Sequence, residues 1–135
     1  MKKNAIIYWV STGLISFMML FTVYNYLANP EMAAAFKHLG FPDYLRIELA
    51  VAKTLAALVL VIPQIPSRVK EWAYAGLGIT FISAAIAHFS NGDPAAVAAM
   101  PIIFFIVLVV SNVYLYKKNK PVVATIKDNI KTSLA

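Results

Sequence analysis

Four polar or ionisable residues interrupt long apolar runs in this chain and are the ones whose types could do chemistry: Asn25, Glu48, Lys53 and His88. A lysine ammonium brings a full charge and several hydrogen-bond donors. In a dry site it can donate to a carbonyl oxygen and stabilise an anion that forms there. At the centre of a membrane helix a lysine costs about 2.5–3.5 kcal/mol on insertion scales, so it is expected to face protein, water or a partner. Lys53 sits roughly 13 Å along its apolar run, near the midplane. Helical phase sets it beside Ala50 and Ala57, where another helix can approach. Glu48 is shallower and lies roughly 140° from Lys53 around the helix, so the two do not pair along one face. Asn25 and His88 fall at a depth similar to that of Glu48. One reading gathers Asn25, Glu48 and His88 into a small polar pocket that opens outward above Lys53. Another leaves Glu48 and His88 as interfacial residues reaching lipid headgroups; for Lys53 the alternatives are contact with a ligand or intramembrane partner and snorkelling to an interface.

Other chemistries find no residues to carry them. The chain has no cysteine, which removes disulfides, thiolate ligands and thiol exchange, so a redox role needs a borrowed cofactor. Its two histidines are far apart in sequence, and a metal site would have to be built from carboxylates and amides; none is expected. No GxGxxG, P-loop, HExxH, CxxC or nucleophile elbow is present. The formal charge of +6 does not point to nucleic acid, because the lysines lie at the chain ends and in one connection. They suit setting orientation and touching anionic headgroups.

The elements that must position these residues are helices in lipid. Hydrophobic residues make up 61% of the 135 and charged ones only 13%, about half the charged share of a soluble domain. A chain this small cannot bury so much apolar surface in its own core, so lipid must cover the rest. Hydropathy predicts an all-α fold in one transmembrane domain, residues 1–120, as a four-helix bundle with spans at about 5–27, 42–62, 68–90 and 94–116. Between the first two spans, Asn29 suits an N-cap, Pro30 the first helical position and Gly40 a left-handed stop. They predict a short helix over 30–39 lying along the membrane surface. Ser67 and Asp93 are the expected caps of the third and fourth spans, and Pro101 should bend the fourth. Gly76, Thr80, Ser83, Ala84 and Ala87 form a small-residue stripe, read as a helix-packing seam. Ser111 and Asn112 are expected to hydrogen-bond across helices.

Basic residues then orient the chain. Lys2, Lys3, Arg68, Lys70, Lys117, Lys118, Lys120, Lys127 and Lys131 share one side, against Lys37 and Arg46 on the other, which places both termini in the cytoplasm. Trp9, Trp72, Tyr74, Tyr114 and Tyr116 are the expected anchors at the inner interface. Residues 121–135 read as a polar basic cytoplasmic tail, frayed or surface-bound. Lys2 and Lys3 resemble the start of a signal peptide, but the apolar run after them is too long for one and should be retained.

Several stretches resemble the DoxX-like family of small bacterial membrane proteins. They are Gly40-Phe41-Pro42 with Tyr44-Leu45, then Lys53, then Val61-Ile62-Pro63, and the run Lys70-Glu71-Trp72-Ala73-Tyr74-Ala75-Gly76 followed by His88 and Gly92-Asp93. The resemblance implies a four-helix protein of the bacterial inner membrane and brings no catalytic role with it. Some relatives are described as subunits of quinone-linked sulfur oxidation, others as partners of membrane oxidoreductases, and distant ones as assembly helpers. The leading expectation is a small accessory subunit, not an enzyme on its own, that contacts a quinone-like cofactor or a membrane redox partner around Lys53. The alternatives are a non-catalytic assembly or stability factor for another membrane protein and a minimal transporter, which would need a homo-oligomer or a water-filled path.

Overall fold

The computed structural model describes residues 2–135, apart from the side chains of residues 120–123; the Lys120 side chain counted for orientation thus lies outside the described residues. Five helices follow one another: α1 (Lys2–Ala28), α2 (Pro30–His38), α3 (Asp43–Val61), α4 (Ser67–Ser90) and α5 (Ala95–Leu134). No strand occurs among the described residues. Three of the helices, α1, α4 and α5, are long and apolar enough to cross a membrane. Within its 19 residues α3 carries Asp43, Arg46, Glu48 and Lys53, and by composition it does not join them.

The helix ends follow from local chemistry. Asn29 caps α2 by accepting the Glu31 backbone N–H at 3.0 Å, and Pro30 follows at the first helical position. At the other end Gly40 adopts φ +80°, a conformation that costs glycine little. The Phe41 N–H bonds the Phe36 carbonyl and the Gly40 N–H the Lys37 carbonyl, the paired Schellman pattern that satisfies orphan carbonyls. The Phe36 and Phe41 rings, 6.2 Å apart, supply its apolar contact. The same motif ends α4, with Gly92 at φ +71° and Asp93 N–H on the His88 carbonyl.

Two expected caps are corrected. The N-cap positions of α4 and α5 are Pro66 and Pro94, neither with a side-chain cap bond. Ser67 is already helical. Asp93 closes α4 instead of opening α5, because its carboxylate finds two histidines to accept from. Beyond Tyr116, α5 continues as helix to Leu134 through the segment expected to fray or lie on the surface. Its residues after Pro121 include neither glycine nor proline, and Ile126, Ile130 and Leu134 repeat at a four-residue spacing along one exposed stripe.

The four long helices form a ring in the order α1, α3, α4, α5, and α2 rests against α1 and α3. Contact between α3 and α4 is the loosest around the ring. The core holds Tyr8, Ile15 and Met19 of α1, Ala57 and Leu60 of α3, Tyr74, Leu77 and Phe81 of α4, and Leu108 and Leu115 of α5. Ile6, Phe17, Phe21, Leu55, Ile79, Ile86 and Ile106 point outward and are exposed, as expected where lipid is the solvent.

Where lipid is as apolar as leucine, packing and buried hydrogen bonds must hold helices together. Thr12 and Ser111 hydroxyls meet at 2.7 Å, and Ser111 also meets Tyr74 Oη at 2.6 Å, which joins α1, α4 and α5 inside the core. Tyr74 is therefore corrected: it is 5% exposed and presents no surface to an interface. Trp9, Trp72 and Tyr116 are exposed and Tyr114 half-buried.

Two cations cap helix ends from a neighbouring element. Arg46 donates to the Tyr26 carbonyl in the last turn of α1 and to Asp43 at 2.9 Å. Lys70 donates to the Leu60 carbonyl at the end of α3, at 3.1 Å. In both cases a charge sits where the carbonyls of the helix concentrate negative potential.

Candidate functional site

The α4 stripe read as a packing seam is half-buried at Thr80, Ala84 and Ala87. Gly76 and Ser83 are exposed, and a Cβ added at Gly76 would meet nothing within 4 Å. The face of α4 that packs carries Tyr74, Leu77, Gly78, Phe81 and Ala85. Gly78 lets Phe105 and Leu108 close in, at 3.5 and 3.9 Å from where its Cβ would be. Small side chains at Thr80, Ser83 and Ala84 leave space beside the loose α3 contact, and that space is a cavity.

The cavity measures about 690 Å³, within the roughly 300–1,000 Å³ typical of small-molecule sites. Its walls come from every helix: Thr22 and Tyr26 of α1, Leu45, Leu49 and Lys53 of α3, Ile79, Thr80, Phe81, Ser83, Ala84 and His88 of α4, and Met100, Pro101 and Phe104 of α5. Met32, Ala35, Phe36 and Leu39 of α2 complete it. The edge-on packing of Phe36 against Tyr26, with centroids 5.0 Å apart, holds α2 to α1.

Lys53 lies on the cavity wall and is only 5% exposed. Its Nζ donates to Tyr26 Oη at 2.8 Å and sits 4.3 Å from the centre of the same ring. No carboxylate pairs with it among the described residues. An ammonium has three donors, and Tyr26 answers one of them. The lining therefore combines a largely apolar surface with one cation that can still donate, the arrangement that orients a ligand by a polar tip.

His88 also lines the cavity. Its Nδ1 lies 2.6 Å from Asp93 Oδ2, and His38 Nε2 lies 2.9 Å from Asp93 Oδ1. An ionised carboxylate only accepts, so the facing nitrogen of each ring carries its N–H. Asp93 thereby clamps the end of α2 to the turn between α4 and α5. The two imidazole bonds, that from His88 first, hold the Asp93 carboxyl below its ordinary value.

The four residues singled out from sequence separate. Lys53 and His88 line one cavity, whereas Glu48 is exposed outside it. Asn25 turns back on its own helix, its amide donating to the Phe21 carbonyl at 2.9 Å. Sequence reasoning missed Tyr26, His38 and Asp93. The Asn91-Gly92 stop before Asp93 was the available signal, because a Schellman ending brings the following residue back over the last turn.

The profile of the DoxX-like family matches residues 10–111, a stretch that holds the core of α3 and α4, that of α1 apart from Tyr8, and the cavity wall. The chain belongs to the DoxX-like family. No curated protein and no solved structure matches it. Family membership and its apolar helices make this DoxX-like chain a multi-pass membrane protein.

Proposed function

We infer that this DoxX-like protein crosses the bacterial inner membrane four times with both termini in the cytoplasm. There it serves as a small accessory subunit whose cavity receives the ring of a quinone-like cofactor shared with a membrane redox partner. One observation carries the reading: the Lys53 ammonium, with donors to spare, on the wall of an apolar cavity of ligand size. In this account α3 crosses the membrane together with α1, α4 and α5, because its charged residues are engaged or near an end. Arg46 and Asp43 meet at the first turn, and Lys53 faces Tyr26. The α2 helix lies along the outer interface and roofs the cavity.

The chemistry is that of binding and polarisation. Lys53 donates to a carbonyl oxygen of the ring, Tyr26 fixes the direction of the ammonium, and the apolar walls exclude the water that would weaken the bond. The chain supplies no electron carrier of its own, so electrons come from the partner. A short-tailed quinone analogue titrated into protein in lipid nanodiscs should bind saturably, and Lys53→Met should weaken it by about tenfold or more, the value of one charge-assisted hydrogen bond. Absence of saturable binding, or equal binding by Lys53→Met, would end this reading.

A second reading rests on the open face of α4. Gly76 and Ser83 are small and exposed in a helix long enough to span, which suits docking of another membrane protein that this chain helps to assemble. Crosslinks from position 76 to one reproducible larger partner, unaffected by any quinone analogue, would favour it over the first.

A further inference from the structure

The end of the bundle where the chain begins holds a feature that the cavity does not use. Lys70, in the first turn of α4, is 3% exposed and donates to Tyr8 Oη at 3.2 Å as well as to the Leu60 carbonyl. Lys118 of α5 reaches the same place. Its Nζ lies 4.6 Å from the centre of the Tyr8 ring and 5.6 Å from that of Trp9; for Lys70 the distances are 5.8 and 5.9 Å. Two ammoniums thus flank one pair of rings, close enough for their like charges to oppose each other. Neither makes an ion pair among the described residues.

Capping of the Leu60 carbonyl accounts for Lys70. It does not account for Lys118, whose contacts among the described residues are aromatic faces, including a cation kept beside another cation. The surrounding charge deepens the imbalance, since Lys2, Lys3, Arg68 and Lys117 belong to the same end and Glu71 is its one nearby carboxylate in sequence. An anion with several acceptor oxygens would take an N–H from each lysine and cancel their repulsion.

We propose that Lys70 and Lys118, above the Tyr8 and Trp9 rings, seat a phosphate group, carried by an anionic membrane lipid or free in solution. Lysines bind phosphate as point charges, and the exposed Trp9 favours the depth at which lipid phosphates lie. The tetrahedral oxygens of a phosphate can answer two ammoniums approaching from different helices. The seat is independent of the quinone reading, because it lies at the other end of Lys53's helix.

The two tryptophans are Trp9 and Trp72, and Trp72 is 83% exposed, so Trp72→Phe in the full chain leaves Trp9 as the reporter with little structural cost. Its emission is followed in phosphatidylcholine nanodiscs, first with increasing phosphatidylglycerol and then with inorganic phosphate added to discs of phosphatidylcholine alone. A saturable change is expected, and Lys118→Met, which leaves the Leu60 cap intact, should shift its midpoint roughly fivefold. Saturation with phosphatidylglycerol assigns the seat to lipid, and saturation with inorganic phosphate assigns it to the free ion. No saturable change in either arm would overturn the proposal. So would an unshifted Lys118→Met midpoint, or a shift matched by the double variant Lys2→Met, Lys3→Met, which changes general surface charge alone.

Discussion

A buried ammonium persists where something answers its donors, and Tyr26 is the group that does so for Lys53. Removing the acceptor while leaving the charge is worse than removing the charge, because an unanswered buried group keeps its full desolvation cost. Tyr26→Phe should accordingly lower stability in detergent by about 1–3 kcal/mol, and Lys53→Met by less; unfolding by graded denaturing detergent measures both. Asp93 makes a pH prediction. Its folded pKa is depressed, so its stabilising contribution is present above the unfolded value, near 3.9, and is lost as pH falls from there through the folded value. Wild-type thermal stability should therefore drop more steeply below about pH 4 than that of Asp93→Asn. Lys53 was legible as a charge in an apolar run. Tyr26 was not, since its pairing spans 27 positions and a tyrosine near a span end reads equally well as a lipid anchor.

Helix ends were readable and helix faces were not. Asn29, Pro30 and Gly40 act through bonds to residues a few positions away, so the whole of α2 follows from local rules. The packing face of α4 has no such signature. In lipid both faces of a helix are apolar, and periodicity cannot separate the one that meets protein from the one that meets acyl chains. Small residues drew the eye to Gly76, yet Gly78 is the glycine that other side chains approach. Gly78→Leu should cost about 1–3 kcal/mol from overpacking against Phe105 and Leu108, and Gly76→Leu should leave thermal stability unchanged. The hydroxyl cluster gives a smaller effect. Ser111→Ala removes the partner of both Thr12 and Tyr74, and at about 0.6 kcal/mol per such bond in a membrane protein the loss should be roughly 1 kcal/mol in the same unfolding assay.

At the scale of the molecule, the fold class and the family were legible because hydropathy and a few spaced motifs extend over most of the chain. The cavity was not, because its volume depends on where four helices fail to close and on a roof held by His38, Asp93 and His88 from three different segments. In the proposed reading, the apolar cavity under α2 and the partly answered Lys53 ammonium hold something apolar that ends in an acceptor. Native mass spectrometry of the protein released directly from its own membrane reads that occupant. The account predicts a stoichiometric adduct with the mass of a quinone in the wild type and its loss in Lys53→Met with the fold intact. An empty wild-type protein, or an adduct retained equally by Lys53→Met, would contradict it.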